Sequence, residues 1–157
     1  SLMQGDYMVL RYAIANQLRN EKLAPVAGRI VLRIDPSGVG EFARLDDGTA
    51  LAADEHYLAY KNRRGARFGI ESFFFQEGRG DEYADAEYAH IRVSPSGTAI
   101  LVDLVETPGF INVATSFQLV MRPQNVVTSF QLVIGPVWQA GSSPLRPLNQ
   151  QPASPSV

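Results

Sequence analysis

Cysteine is absent from this chain of 157 residues, which excludes disulfides and thiolate metal sites outright. No apolar run approaches the ~20 residues that a membrane-spanning helix needs. No charged-then-apolar stretch marks the start as a signal peptide. Beginning at Ser1 without an initiator Met is what a cleaved or trimmed chain would show. Positive charge is not in excess either: 14 Lys and Arg face 16 Asp and Glu, a formal net charge of −2. That balance argues against a nucleic-acid partner, whose recognition requires a basic face. Histidine is limited to His56 and His90, and no D-x-D-x-D-G calcium loop occurs in the acidic run Asp81–Glu87. No metal and no cofactor are therefore expected.

What is present is a period of two. Met8, Leu10, Tyr12 and Ile14 alternate with Tyr7, Val9, Arg11 and Ala13, the pattern of a strand with one buried face. Ile30, Leu32 and Ile34 repeat it and lead into Asp35-Pro36-Ser37-Gly38, a type I turn signal, before a return strand from Val39 to Leu45. Ile91 to Val93, Ser94-Pro95-Ser96-Gly97 and Thr98 to Leu104 form a second hairpin of the same kind. A third hairpin is predicted between His56–Lys61 and Arg67–Phe75, with Asn62-Arg63-Arg64-Gly65 at its tip. The basic residues of that tip, Lys61, Arg63, Arg64 and Arg67, read as a solvated turn. Helix is expected only over Asp81–His90 and Ala15–Leu23.

A tandem repeat follows. The twelve residues Asn112–Pro123 return as Asn125–Pro136 with nine identities at an offset of 13. Both copies are rich in Val, Thr, Phe and Leu and end at Pro, so both are predicted strands. A hairpin about Pro123-Gln124 would set Phe117 opposite Phe130 as a cross-strand pair. Uncharged strands of matching sequence also offer matching edges to other copies of the chain. Phe117, Leu119, Phe130, Leu132 and Trp138 are the expected assembly anchors. Beyond them, 140–157 holds four prolines, four serines and a single charge, Arg146, as in an extended tail. Such a tail would order by lying along a neighbouring copy. The expected division is thus a β domain at 1–106, repeat strands at 107–139 and the tail at 140–157.

Two segments identify relatives. Gly5-Asp6-Tyr7-Met8-Val9-Leu10-Arg11-Tyr12 satisfies G-D-Y-x-x-L-x-Y at every specified position, and Phe68-Gly69-Ile70-Glu71-Ser72-Phe73-Phe74-Phe75-Gln76-Glu77-Gly78 resembles the internal signature of the same family. The chain resembles the GDYXXLXY proteins, a bacterial and mostly membrane-anchored family. The resemblance covers roughly 1–106 and implies an extracytoplasmic setting, at the periplasm or cell surface, with an anchor upstream of the motif. It implies no reaction. Gly5, Asp6, Tyr7, Leu10, Tyr12, Phe68, Gly69, Glu71 and Phe73 are read as structural residues of the motif. Asp6 should accept backbone N–H groups, and Glu71 should face solvent or find a partner. Ser1 ahead of Gly5-Asp6 and Gln76-Glu77-Gly78 downstream also resemble, loosely, the serine and P-E-G turn of type I signal peptidases. The proline is replaced, and the only lysines are Lys22 and Lys61.

The fold expected is all-β: an antiparallel sandwich or partly open barrel of about nine strands built from hairpins, with at most one or two short helices. The function expected is non-enzymatic, an extracytoplasmic structural or interaction domain that self-assembles through its C-terminal strands and tail. A periplasmic ligand-sensing domain is the alternative and would require a pocket. A signal-peptidase-like hydrolase is the second, and it would require a lysine near a serine.

Overall fold

The computed structural model describes residues 2–109, 115–121 and 126–133. The chain is all-β, with nine strands among these residues arranged as three open antiparallel sheets of three strands. None closes into a barrel.

The first sheet centres on β1 (Leu2–Val9), with β5 (Ser72–Gln76) and β9 (Val126–Val133) on its two sides. The second orders β3 (Gly40–Leu45), β2 (Ala27–Ile34) and β4 (Glu55–Lys61), and the third orders β7 (Ala99–Val105), β6 (Tyr88–Val93) and β8 (Ser116–Val120). One helix, α1 (Ile14–Asn20), follows β1. Its Ile14 and Leu18, four residues apart, lie on one face and are both buried. A single 3-10 turn spans Gly80–Tyr83 where a longer helix was expected, and β6 begins at Tyr88 instead.

Both Pro-Ser-Gly turns form as predicted. In the first, the Gly38 N–H bonds to the Asp35 carbonyl at 2.9 Å, while the Asp35 carboxylate accepts the Ser37 and Val39 amides. Gly38 has φ +87°, which only glycine adopts without strain. In the second, the Gly97 N–H bonds to the Ser94 carbonyl at 2.9 Å. The alternation Met8, Leu10, Tyr12, Ile14 is also correct for burial, since all four are in the core. It crosses a change of element, however, because β1 ends at Val9 and Ile14 already opens α1.

Two pairings differ from expectation. The segment after Lys61 does not return along β4: Lys61 and Arg67 form one isolated bridge, and β5 then joins β1. Gly69, with φ +82°, interrupts the strand pattern between buried Phe68 and Ile70 and turns the chain away. The two repeats do not form a hairpin either. β8 pairs with β6, placing Phe117 opposite Ile91, whereas β9 pairs with β1, placing Phe130 opposite Gly5 and Leu132 opposite Met3. Identical sequence cannot specify different partners; the surrounding sheets do so. Phe117 and Leu119, expected as assembly anchors, are fully buried in the chain's own core. Trp138 and the 140–157 tail lie outside the described residues.

The sheets are tied by backbone bonds as well as by packing. Gln118 N–H donates to the Gly38 carbonyl at 2.8 Å, and Ala59 N–H donates to the Gly97 carbonyl at 2.8 Å. The core runs between them from Leu10 and Leu18 through Ile30, Leu58 and Ile91 to Phe117.

Glu55 holds the open end of the second sheet. Its carboxylate accepts the Ala52 amide and bonds to Arg33 and Arg44, each at 3.1 Å. The Ala52 amide foremost, and then the two guanidiniums, hold the Glu55 carboxyl below its ordinary range against the opposing effect of desolvation. A lowered folded-state value means that the stabilisation is complete above the ordinary carboxylate range and is lost as pH falls through the folded value. Glu55→Gln is therefore expected to flatten the acid limb of melting temperature against pH. An acid limb identical to that of the parent protein would show that Glu55 contributes nothing there.

Candidate functional site

The motif residues sit where β1, β5 and α1 meet. Gly5 lies mid-strand between Gln76 and Phe130, in close register on both sides. Asp6 is buried, and its Oδ2 accepts the Gly78 N–H at 3.1 Å, which closes the turn that follows β5. The expectation of a backbone-bonded Asp6 holds. Tyr7 stacks obliquely on Phe74, with centroids 5.6 Å apart. Leu10 is buried, and its N–H donates to the Glu71 carbonyl at 2.7 Å.

Tyr12 joins the two signature segments. Its hydroxyl donates to the Ile70 carbonyl, and its ring meets Phe68 edge-on at 6.3 Å. Burial first, and the Glu71 carboxylate second, push the Tyr12 hydroxyl far above the ordinary phenol range. At neutral pH it is therefore a neutral hydrogen-bond donor. Phe73, on β5, packs edge-on against Tyr83 of the 3-10 turn at 4.8 Å. Glu71 is half-buried and accepts the Phe68 amide, so it finds a backbone partner. Replacing Asp6 with Ala should cost ~1–2 kcal/mol by stranding the Gly78 amide, measurable by denaturant unfolding. An unchanged midpoint with loss of a defined binding activity would make Asp6 a functional carboxylate instead.

Beside this junction lies a cleft of about 340 Å³. Three pieces of chain build it. The end of the motif contributes Val9 to Tyr12, α1 contributes Ala15, Asn16 and Arg19, and the β4–β5 connection contributes Arg64 to Phe68 together with Glu71. Helical phase explains the second wall: with Ile14 and Leu18 turned inward, Ala15 and Arg19 share the neighbouring face. Gly65, at φ +107°, lies in the turn between Arg64 and Arg67, both of which line the cleft. The lining thus holds Arg11, Arg19, Arg64 and Arg67 against the single carboxylate of Glu71, in a chain whose net charge is negative. Arg19, Arg64 and Arg67 make no ion pair among the described residues. A second, more open concavity shares Arg64, Gly65 and Arg67 and adds Lys61 and Arg63.

Planar guanidiniums brought to one cleft from three segments are suited to an anion with several acceptor oxygens, because each can donate two parallel bonds. Sequence reading singled out Arg64 and Arg67 only as parts of a turn and passed over Arg11, Asn16 and Arg19. A usable signal did exist: the helix phase places Arg19 next to the motif that Tyr12 ends.

The remaining candidates do not come together. His56 packs on Phe117 at 5.5 Å, its pKa lowered by desolvation, while His90 lies on β6. No group of three potential metal ligands exists among the described residues. Both carboxylate oxygens of Glu82 accept from the Arg79 guanidinium, at 2.6 Å each. Ser1 lies outside the described residues, and no described helix is long and apolar enough to cross a membrane.

No curated protein and no solved structure matches this chain. A family match does exist: residues 1–104, which include β1, α1, both motif segments and the whole cleft, match the GDYXXLXY protein family, and the chain belongs to it.

Proposed function

We propose that this is a non-enzymatic binding domain of the bacterial cell envelope that recognises an anionic group in the arginine-lined cleft. The observation that carries the reading is the convergence of Arg11, Arg19, Arg64 and Arg67 on one cavity, with three of them free of ion pairs among the described residues. These exposed arginines raise the positive potential at the cleft, which attracts a counter-charge. A bound anion supplies it. The extracytoplasmic setting is supported by family resemblance, and the ligand-sensing role by the cleft. Self-association through the repeats has less support, because Phe117 and Leu119 are occupied inside the chain.

Millimolar inorganic phosphate or sn-glycerol 3-phosphate is expected to raise the melting temperature beyond chloride at equal ionic strength, since a ligand bound to the native state stabilises by mass action. The double variant Arg64→Gln/Arg67→Gln should weaken that binding about tenfold or more while keeping the fold, because each charge-assisted bond contributes ~1.5–3 kcal/mol. Equal stabilisation of parent and variant would place the anion elsewhere and defeat the reading.

A further inference from the structure

The loop between α1 and β2 contains the two most exposed large apolar side chains among the described residues, Leu23 at 89% and Val26 at 59%. It contains Lys22 and follows Arg19, with Glu21 its one carboxylate. This loop is held against the basic β4–β5 connection. Val26 accepts the Asn62 N–H at 2.7 Å, and Ala27 pairs with Lys61. Arg19 reaches the same cleft as Arg64 and Arg67, and the adjoining concavity adds Lys61 and Arg63. One end of the domain therefore combines two protruding apolar side chains with cations from both loops. No carboxylate occurs between Lys61 and Arg67.

We propose that this end docks on an anionic lipid surface, Leu23 and Val26 entering the headgroup layer while Arg19, Lys22, Lys61 and Arg63 meet lipid phosphates. The inference rests on the anion-binding reading of the cleft and names the source of the anion, a lipid headgroup. Charge complementarity selects this occupant: cations near a negative membrane surface are attracted over a Debye length, and apolar side chains beside them add burial that a soluble anion cannot offer. An acidic protein would satisfy the cations but leaves Leu23 and Val26 unexplained.

The test is cosedimentation of the protein with vesicles of phosphatidylcholine alone or with roughly a third phosphatidylglycerol, which supplies the negative surface. Calorimetric titration with sn-glycerol 3-phosphate runs alongside. The protein should sediment with the anionic vesicles only. Leu23→Ser/Val26→Ser, which alters no charge, should reduce vesicle binding by about tenfold or more and leave glycerol phosphate binding unchanged. Lys61→Gln and Arg63→Gln should each reduce vesicle binding about fivefold. Glycerol phosphate binding without vesicle binding would overturn the lipid surface and leave the cleft reading intact. Vesicle binding that survives Leu23→Ser/Val26→Ser undiminished would also overturn it, as would tighter binding to a polyglutamate peptide than to the vesicles. Binding of neither glycerol phosphate nor vesicles would overturn both readings.

Discussion

Phe117→Ala is expected to destabilise the protein by ~3–5 kcal/mol, the cost of deleting a large buried aromatic whose cavity cannot close. For a chain of this size that corresponds to a fall of roughly 6–20 °C in melting temperature. The side chain is fully buried and joins two sheets. From β8 it lies against His56 of β4, and a Cβ added at Gly40 of β3 would come within 3.0 Å of its ring. Gly40 is thus the floor on which the ring rests. Once the ring is gone, backbone on that side cannot move in without breaking the pairing of β2 with β3. A loss below ~1 kcal/mol would mean that the two sheets do not meet at this ring.

Gly97→Ala is expected to cost ~2–5 kcal/mol. Two effects combine there. Gly97 has φ +95°, a conformation that costs an L-residue ~1–2 kcal/mol. The added methyl group would also lie 3.0 Å from the Ala59 nitrogen and 3.0 Å from the Tyr57 Cβ, atoms of β4 that cannot swing aside. Overpacking of that kind typically costs ~1–3 kcal/mol more. Gly48 supplies the internal control: its φ is +83°, but a Cβ there meets nothing within 4 Å. Gly48→Ala should show the conformational cost alone. Equal losses at the two glycines, measured by denaturant unfolding, would rule out a close contact between the β6–β7 turn and β4.

Local features were legible in the residues and long-range choices were not. Asp35-Pro36-Ser37-Gly38 and Ser94-Pro95-Ser96-Gly97 specify their own turns, since each stretch contains the proline, the acceptor side chain and the glycine that the geometry demands. The alternation ending at Tyr12 announces a buried face in the same way. Strand partners have no such local cue. Ser72–Gln76 is as good a mate for β4 as for β1 by composition, and only the turn at Gly69 decides between them. Cleft residues are harder still to see. Arg11, Arg19, Arg64 and Arg67 come from three separate segments, and each taken singly looks like an ordinary solvated charge.

The repeated segment has a consequence for how the chain reaches this structure. Ser116–Val120 and Ser129–Val133 are the same five residues, yet one fills the slot beside β6 and the other lies along β1. Exchanging them would preserve every side chain that those five positions present. The energy gap between correct and exchanged forms therefore comes from outside the pentapeptides, where the two copies differ in sequence and in their distance along the chain from β6. A landscape with so close a decoy is locally frustrated, and the nearer copy has the shorter loop to close onto the free edge of β6, whose other edge β7 already covers. Connectivity thus favours a choice that composition leaves open.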